Sequence, residues 1–533
     1  MIKERCVNNV KKLFYNGTIL TMDEKMPKVA AVAIEEDRII QVYNEVPLDW
    51  KYESYDLEGK TLLPGFIDGH SHFVGCANSL AQCDLSKAQN FYDIVDIMKQ
   101  FIKDRNIQKG KWVVGINYDH NFLKEKRHPD CNVLNEISKD HPILIIHASN
   151  HMGVVNSFGL CKENVNDDVK DPQGGRYGRF DGTNTLNGYM EENAFINFQK
   201  SISSLDIEMM RKNIILAQEL YAKYGITTIQ DGFLTDSLYS LLKLFAEEKL
   251  LKIDVVGYVD LENYRNIYQN HSKDYVYNNH FRLGGYKIFL DGSPQGKTAW
   301  MKEPYEHSKE KGYPVHSDED IYELISNALE DHAQLLAHCN GDAAAEQYVK
   351  QFTRVMENHS YIDSYRPVMI HAQLVREEEL TKMKPISMIP SFFVAHTYYW
   401  GDIHLANLGE ERASRISPVK DAIRTGLTYT FHQDTPVLFP DVMKTISCAV
   451  NRITKNGVEL SKDQSISVME ALKAVTIYAA YQYHEENSKG SIEKGKKANL
   501  VILEKNPLEV ELSELEKIQV VETIVDGVTI FKK

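Results

Sequence analysis

The sequence has 533 residues, more than one ordinary domain needs, although an α/β barrel with insertions can use most of that length. Hydrophobic residues make up 43% and charged residues 26%, which is typical of a soluble globular protein. The formal net charge of −14 argues against a surface for nucleic acid or anionic membrane, and no apolar run approaches the length that spans a bilayer.

The start of the chain and its cysteines bear on the cellular compartment. Residues 1–6 are charged and lead into no apolar core, so we expect no secretory signal. The cysteines are scattered, odd in number and form no C-x-x-C pair, which predicts neither a disulfide framework nor a cysteine zinc site. They are Cys6, Cys76, Cys83, Cys131, Cys161, Cys339 and Cys448. We therefore expect a cytoplasmic protein, and general symmetry preferences favour a homodimer.

Both ends of the chain are rich in strand-forming residues. Strand-like runs separated by turn residues open the chain, and a matching set closes it. These runs are residues 12–20, 30–34, 38–42, 499–503 and 520–531. We expect the two ends, 1–61 and 485–533, to share one small composite β-sandwich domain with the body inserted between them. The alternative is that they form independent edge strands.

The segment at residues 62–72, LLPGFIDGHSH, predicts a short buried strand that ends in two histidines. Side chains alternate across a strand, so His70 and His72 project in the same direction. Imidazole is a common metal ligand, and a His-x-His pair supplies half of a four-ligand zinc shell. The alternative is two polar residues that cap a strand, and the choice depends on the rest of the chain.

Between residues 62 and 484, strand-like runs alternate with helical stretches. Eight strands in a βα rhythm predict a parallel (β/α)8 TIM barrel. Residues 75–205 interrupt this rhythm with strands of their own, and we expect them to form a subdomain inserted after the first strand, on the rim where barrel enzymes keep their sites. The remaining predicted strands are residues 225–231, 253–258, 285–291, 333–338, 367–371, 387–391 and 427–431, with helices at 208–224, 236–249, 318–331 and 342–357.

Six polar residues lie in or directly after the predicted barrel strands. In a barrel, the C-terminal ends of all strands face one rim, so these residues can converge despite their separation in sequence. Each has an ordinary alternative as a strand-end polar group, a snorkelling lysine or a turn aspartate. Together, and with a lysine that would otherwise be a costly buried charge, they predict a metal centre. The six are His70, His72, Lys287, His338, His371 and Asp434.

Several blocks spread over almost the whole chain match a known family. They are LLPGFIDGHSHF at 62–73, HMGVVNS at 151–157, KIFLDGSPQGKTAW at 287–300, AHCNGDAAAEQ at 337–347, MIHAQ at 369–373, HQDTPV at 432–437 and GSIEKGKKANLV at 490–501. On these blocks the sequence resembles the amidohydrolase superfamily, specifically the amidohydrolase 3 group that includes N-substituted formamide deformylases. Two positions depart from the pattern: His432-Gln433-Asp434 stands where Gly-Ser-Asp is usual, and Asn499 replaces an aspartate.

The resemblance implies a distorted (β/α)8 barrel with a small composite β-sandwich and a centre for one or two divalent metal ions. His70, His72 and Asp434 would bind one ion, and His338 and His371 a second. Lys287 would carry a CO2-derived carbamate that bridges the two, because a lysine beside a dication has a lowered pKa and a nucleophilic neutral amine. A single-ion centre is the alternative. Zinc is the expected metal, although such a ligand set also suits iron or manganese.

The resemblance also implies the reaction. We expect a metal-dependent hydrolase that cleaves a C–N bond other than a peptide bond in a small molecule, such as an N-acyl or N-formyl amine. Metal-activated hydroxide would act on the amide, with Asp434 as general base and then as general acid for the leaving nitrogen. The same scaffold also allows a deaminase, an isomerase, an esterase or a non-catalytic regulatory relative, since fold does not fix the reaction.

Three further residues are candidates for substrate contacts. His151 and Asn156 match the family's His-x-x-x-x-Asn-Ser block and are expected to line the pocket. His396 follows the seventh predicted strand and is expected to hydrogen-bond a developing oxyanion. The alternative for His396 is a packed loop histidine.

Overall fold

The first seven of the opening strands lie in two different sheets. The computed structural model describes residues 11–149, 151–202, 207–357 and 365–533, so residues 1–10 of the predicted 1–61 domain lie outside the described residues. The opening strands are β1 (Lys11–Tyr15), β2 (Thr18–Leu20), β3 (Lys28–Val29), β4 (Ala31–Glu35), β5 (Arg38–Tyr43), β6 (Glu53–Asp56), β7 (Thr61–Pro64) and β8 (Phe66–Ile67). One sheet has the order β5-β4-β1-β6, while β7, β2 and β3 are neighbours in a second sheet.

Residues Ala77–Ile214 form a compact unit of their own, here named the inserted unit, and Met1–Cys76 with Ile215–Lys533 form the main unit. The next elements are α1 (Phe73–Leu80), β9 (Cys83–Asp84), α2 (Phe91–Asp104), β10 (Val113–Tyr118), α3 (Cys131–Asn135), β11 (Ile143–His147), β12 (Met152–Val155), α4 (Ser157–Lys162), β13 (Gly175–Arg179), β14 (Leu186–Glu192) and α5 (Asn193–Ile202). The six strands form one sheet in the order β13-β14-β12-β11-β10-β9. Side chains alternate along β11, so Ile145 packs in the apolar cluster on one face and Leu144 in the cluster on the other.

The main unit continues with strands and helices in alternation. These are α6 (Ile207–Lys223), β15 (Ile226–Leu234), α7 (Asp236–Glu247), β16 (Asp254–Asp260), α8 (Leu261–Asn270), β17 (Phe281–Phe289), α9 (Asp318–Glu330), β18 (Gln334–Cys339), α10 (Asp342–Met356), β19 (Val368–His371), α11 (Glu377–Met383), β20 (Ile389–Phe392), α12 (His396–Tyr399), α13 (Gly401–Ser414), α14 (Val419–Thr425), β21 (Thr430–Phe431), α15 (Val442–Asn451), α16 (Val468–Ala474) and α17 (Ile477–Gln482). Serine caps fix two of the helix starts, because Ser317 before α9 and Ser467 before α16 each form a capping box.

A curled parallel sheet of eight strands positions the polar residues of the main unit. Its order is β21-β20-β19-β18-β17-β16-β15-β8, and every neighbouring pair is parallel. All residues of β16 are buried, as expected for a parallel strand that is covered on both faces. The Gly69 backbone N–H, just after β8, donates to the Phe431 carbonyl at the end of β21 over 3.2 Å. The chain is therefore a mixed α/β protein with its parallel strand ends gathered along one edge.

The closing strands pair with the opening ones. They are β22 (Leu500–Leu503), β23 (Val520–Val525) and β24 (Val528–Lys532). β22 lies antiparallel to β7, and the sheet order is β24-β23-β22-β7-β2-β3. The domain boundaries at 1–61, 62–484, 75–205 and 485–533 stay predictions. Among the described residues, none of the helices combines the length and apolar character needed to cross a lipid bilayer.

Candidate metal centre

His70 and His72 follow β8, which ends earlier than the sequence predicted. Nδ1 of His70 lies 2.5 Å from Oε1 of Gln230, and because an amide oxygen only accepts, Nδ1 donates and Nε2 keeps its lone pair. The backbone makes room for this ring at Gly232, where a Cβ atom would lie 2.4 Å from Cε1 of His70. His72 forms an isolated bridge with Asp231 and stays one-third exposed.

Asp434 stands after β21 with a backbone φ of 52°, an uncommon left-handed conformation for a residue other than glycine. Its Oδ1 atom lies 3.5 Å from Nε2 of His70 and 3.4 Å from Nε2 of His72. This oxygen is buried and makes no hydrogen bond. Burial acts to raise the pKa of Asp434, but the imidazoles of His72, His371 and His70 hold it well below its usual range, so the group is a carboxylate.

Lys287 lies in β17 with its side chain almost fully buried. Its Nζ atom is 3.2 Å from Nε2 of His70. Burial lowers the pKa of Lys287 to about 7, against a weaker opposing effect of Asp434. A large fraction of this amine is therefore neutral at physiological pH, which is the state that can act as a nucleophile.

His338 in β18 and His371 at the end of β19 face each other, with Nδ1 of His338 3.0 Å from Nε2 of His371. Nε2 of His338 lies 3.1 Å from the Gly292 carbonyl, which accepts, and 3.0 Å from Nδ2 of Asn340, which donates. The tautomer in which Nε2–H donates to Gly292 is the one that leaves the lone pair of Nδ1 for a cation. His371 adopts a φ of 75°. A residue other than glycine in this conformation costs of order 1–3 kcal/mol, and such strain clusters at ligand-binding sites.

The structure thus brings all six predicted residues to one place at the carboxyl edge of the sheet. The ligand atoms of His70, His72 and Asp434 lie within 4.8 Å of one another, and the rings of His70 and His371 are 5.8 Å apart. Ligand atoms about 3.3 Å apart match a tetrahedral zinc ion with bonds of about 2.0 Å. Inward-facing lone pairs and a buried carboxylate oxygen without a donor fit a divalent cation.

Sequence reasoning missed the supporting role of His432. Its Nε2 atom lies 3.1 Å from Nδ1 of His371, and its Nδ1 atom lies 2.9 Å from Oγ of Ser391. A relay in which His371 donates to His432, and His432 to Ser391, leaves Nε2 of His371 free to bind a cation. Outer partners of this kind fix the tautomer of metal-binding histidines. One feature of the sequence could have pointed to His432: the family's usual Gly-Ser-Asp is replaced by His432-Gln433-Asp434.

The three weaker candidates differ in their surroundings. His396 is buried beside Phe393, and its Nδ1 atom lies 3.1 Å from Nε2 of His404. His151 is largely exposed, and its Nδ1 atom lies 3.1 Å from a carboxylate oxygen of Glu192. For these two residues, the substrate contact stays a prediction.

Asn156 has a structural role in the inserted unit, and its substrate contact stays a prediction. It is fully buried and is the N-cap of α4, with its side-chain oxygen accepting from the backbone N–H groups of Gly159 and Ile143. Its amide nitrogen donates to the His141 carbonyl. Asparagine is a preferred N-cap residue, which explains its position without a ligand.

Comparison with known proteins agrees with this geometry. The model of the amidohydrolase family matches residues 53–531. The chain belongs to the amidohydrolase family. This amidohydrolase is 25% identical to YtcJ of Bacillus subtilis (strain 168), over 98% of this chain and all of that protein. It is 24% identical to the N-substituted formamide deformylase of Arthrobacter pascens, over 98% of each chain.

A solved structure shares the fold of this amidohydrolase. It is an uncharacterized metal-dependent hydrolase from Pyrococcus horikoshii OT3, with a TM-score of 0.76 and 25% sequence identity. The match covers 94% of this chain and 99% of that one. A metal-dependent hydrolase is therefore the class that both the family and the geometry support.

Proposed function

We propose that this amidohydrolase cleaves a C–N bond of a small non-peptide amide, such as an N-acyl or N-formyl amine. The observation that carries the proposal is Oδ1 of Asp434, a buried, ionised oxygen that makes no hydrogen bond and lies 3.4–3.5 Å from two imidazole nitrogens. An unpaired carboxylate is costly in such surroundings unless a cation compensates it. The Arthrobacter relative, named as a formamide deformylase, supports an amide as the substrate class.

The donor set divides into two groups. In our proposal, His70, His72 and Asp434 hold one divalent ion, with zinc as the first choice for two imidazoles and a carboxylate. His338 and His371, whose facing nitrogens are 3.0 Å apart, hold the second ion. Lys287 lies against the first group and is the residue suited to connect the two.

We propose that Lys287 is carboxylated. The neutral amine would attack the carbon of CO2, a C–N bond would form, one C–O π pair would move to oxygen, and the nitrogen would release a proton to solvent water. The product would be an anionic carbamate, which would supply carboxylate-type oxygen ligands beside the two groups of donors. The lowered pKa of Lys287, about 7, supports this step because it makes the neutral amine available.

Asp434 is the proposed proton carrier. When bound, a divalent metal lowers the pKa of a water molecule and polarises a carbonyl oxygen. Asp434 is ionised and therefore able to accept a proton at a carboxylate oxygen. Delivery of that proton to the departing nitrogen completes the cleavage, because an amide anion is a poor leaving group.

We further propose that the eight-stranded sheet closes as a distorted (β/α)8 barrel between residues 62 and 484. Support comes from the backbone hydrogen bond between Gly69 and Phe431. In this proposal, the ends at 1–61 and 485–533 form the composite β-sandwich, and residues 75–205 form the insertion. The antiparallel pairing of β22 with β7 supports a shared domain for the two ends.

A panel of N-formyl and N-acyl amines assayed with zinc-, manganese- and iron-loaded protein tests the function. We expect release of an amine and a carboxylate in equal amounts. Release of ammonia instead would indicate a deaminase, and turnover of esters alone would indicate an esterase. Absence of turnover with every metal and substrate class would favour a non-catalytic relative.

A further inference from the structure

A second group of metal-ligand side chains lies in the inserted unit, in a part of the sequence and a sheet different from those of the six candidate ligands described above. Asp119 and His120 directly follow β10, and His147 is the last residue of β11. β10 and β11 are parallel, with Tyr118 paired to His147 in register. Since parallel neighbours end at the same edge of a sheet, the pairing brings these side chains together.

The three ligand atoms have the spacing of a metal site. Nδ1 of His120 lies 3.2 Å from Nε2 of His147, and Oδ1 of Asp119 lies 3.4 Å from Nε2 of His147 and 3.9 Å from Nδ1 of His120. An ion with four ligands at about 2.0 Å has ligand atoms about 3.3 Å apart. The longest separation needs only a small side-chain adjustment to reach that value.

Neighbouring groups already orient two of the ligands. The backbone N–H and side-chain amide of Asn121 donate to Oδ1 of Asp119 over 2.8 and 3.0 Å. The Ser149 hydroxyl lies 2.9 Å from Nδ1 of His147, so Nδ1–H can donate to it and leave Nε2 for a cation. The Ser149 backbone N–H, 3.0 Å from the same nitrogen, donates to it when the proton is on Nε2, so a cation at Nε2 would require the tautomer in which Nδ1 carries the proton.

A third histidine, His128, lies beside the three ligand residues. The ring of His128 lies 4.0 Å from that of His120, and Nδ1 of His128 is 3.0 Å from the Tyr118 hydroxyl. The side chains of Asp119 and His120 keep about one-quarter of their surface exposed, while His147 is buried. A hydrated cation can therefore reach the three ligand atoms from solvent and retain a water molecule.

We propose that Asp119, His120 and His147 bind one zinc-class divalent cation, with the fourth position open to water. Two imidazole nitrogens and one carboxylate oxygen suit zinc, cobalt or nickel better than calcium or magnesium, which prefer oxygen ligands. The ion would join the segment after β10 to the end of β11. This inference does not rest on the proposed hydrolysis, since all three ligands belong to the inserted unit.

Metal counting on the full-length chain tests the proposal. After chelator treatment and reloading with zinc, His120→Gln and His147→Gln should each hold one ion fewer per chain than the wild type. His151→Gln is the matched control, because it removes an exposed histidine that also lies beside a carboxylate in the same unit but, among the described residues, has no third ligand atom grouped with it. Its zinc content should equal that of the wild type. Equal zinc content in all four folded proteins overturns the proposal.

A double variant separates this site from the candidate centre of His70, His72, Lys287, His338, His371 and Asp434, here named the main centre. His70→Asn combined with His72→Asn should lose ions of the main centre and still bind the ion in the inserted unit. If the main centre binds nothing even in the wild type, the proposed hydrolase fails while the count of one ion in the inserted unit stands.

A measurement on the wild-type protein tests the proposal without depending on whether the variants fold. Anomalous diffraction at the zinc edge from zinc-soaked crystals should give a peak about 2 Å from Nδ1 of His120, Nε2 of His147 and a carboxylate oxygen of Asp119. No peak there, in a crystal whose zinc concentration fills other sites, contradicts the proposal and leaves a hydrogen-bonded cluster without metal.

Discussion

The Nζ atom of Lys287 lies 3.2 Å from Nε2 of His70, and both side chains are almost completely buried. Protonated, Lys287 would be an ammonium group in a site that we propose to bind divalent cations. Burial lowers its pKa to about 7, which resolves this conflict by favouring the neutral amine. The same neutral amine is what CO2 requires.

Peptide mass mapping in bicarbonate under mild conditions should therefore find Lys287 heavier by one CO2. Lys489 is the internal control, since it too is buried. Burial acts to lower the pKa of Lys489, but Asp254 and Glu485 hold it well above its usual value, so its amine stays protonated and unmodified. Lys287→Arg, which keeps a charge and cannot form the carbamate, should hold less metal. An unmodified Lys287 with full metal content contradicts the carbamate.

Replacement of Asp434 by asparagine should separate metal binding from turnover. An amide oxygen can still bind an ion but does not carry the proton, so kcat should fall by about 10² to 10⁴ while most metal remains. Asp236→Asn, at an exposed position in the first turn of α7, is the control and should match the wild type in both. Steady-state kinetics with metal analysis of the same samples gives both values. Unchanged kcat in Asp434→Asn removes the residue from proton transfer.

The sequence allowed the convergence of the six candidate ligands to be predicted, because a βα rhythm with polar strand ends determines which side chains reach one edge, while their binding of a metal stays a prediction. The end of the first barrel strand was predicted less accurately. β8 ends at Ile67, and His70 and His72 lie on the segment beyond it. His432 depends on hydrogen bonds to His371 and Ser391, which are 61 and 41 residues away in sequence. Local patterns carry no information about such long-range pairs.

The motif match at Asn156 shows a second limit. The match predicts a substrate contact, which stays a prediction, while the side chain caps α4 and accepts a hydrogen bond from the backbone N–H of Ile143. A buried N-cap and a pocket residue have the same sequence signature, and only the hydrogen bonds distinguish them.

The relay from His371 through His432 to Ser391 predicts an effect on metal affinity. His432→Ala removes the acceptor for Nδ1 of His371, so the metal affinity of the main centre should fall about 10- to 100-fold. Ser391→Ala should act in the same direction but more weakly, because it removes a hydrogen bond one step further away. Titration of metal-free protein against a competing chelator measures this, and kcat should recover at saturating metal. Equal affinities in wild type and His432→Ala would falsify the positioning role.

A buried ion pair distant from the centre in sequence predicts the acid sensitivity of the fold. Asp254 is fully buried with its Oδ2 atom 2.5 Å from Nζ of Lys489 and its Oδ1 atom 2.7 Å from Nδ1 of His280. Burial acts to raise the pKa of Asp254, but Lys489 and His280 hold it well below its usual value. Because the folded-state pKa is the lower one, this stabilisation is present above about pH 4 and is lost as the pH falls further.

Thermal unfolding of metal-free protein from neutral pH to about pH 3 tests this pH dependence of stability. Asp254→Asn should be less stable than the wild type by about 3 kcal/mol at neutral pH, since Lys489 loses a buried partner, and the difference should shrink in acid. Parallel curves for the two proteins over the whole range would show that Asp254 does not contribute to acid unfolding.

Removal and return of the metal tests the central claim most directly. Protein treated with a chelator and dialysed should lose its bound metal and its hydrolysis of an N-formyl or N-acyl amine together, and stoichiometric zinc should restore both. The matched sample is His70→Asn with His72→Asn, in which added zinc should restore no turnover. Full turnover by wild-type protein shown to contain no metal would contradict the account.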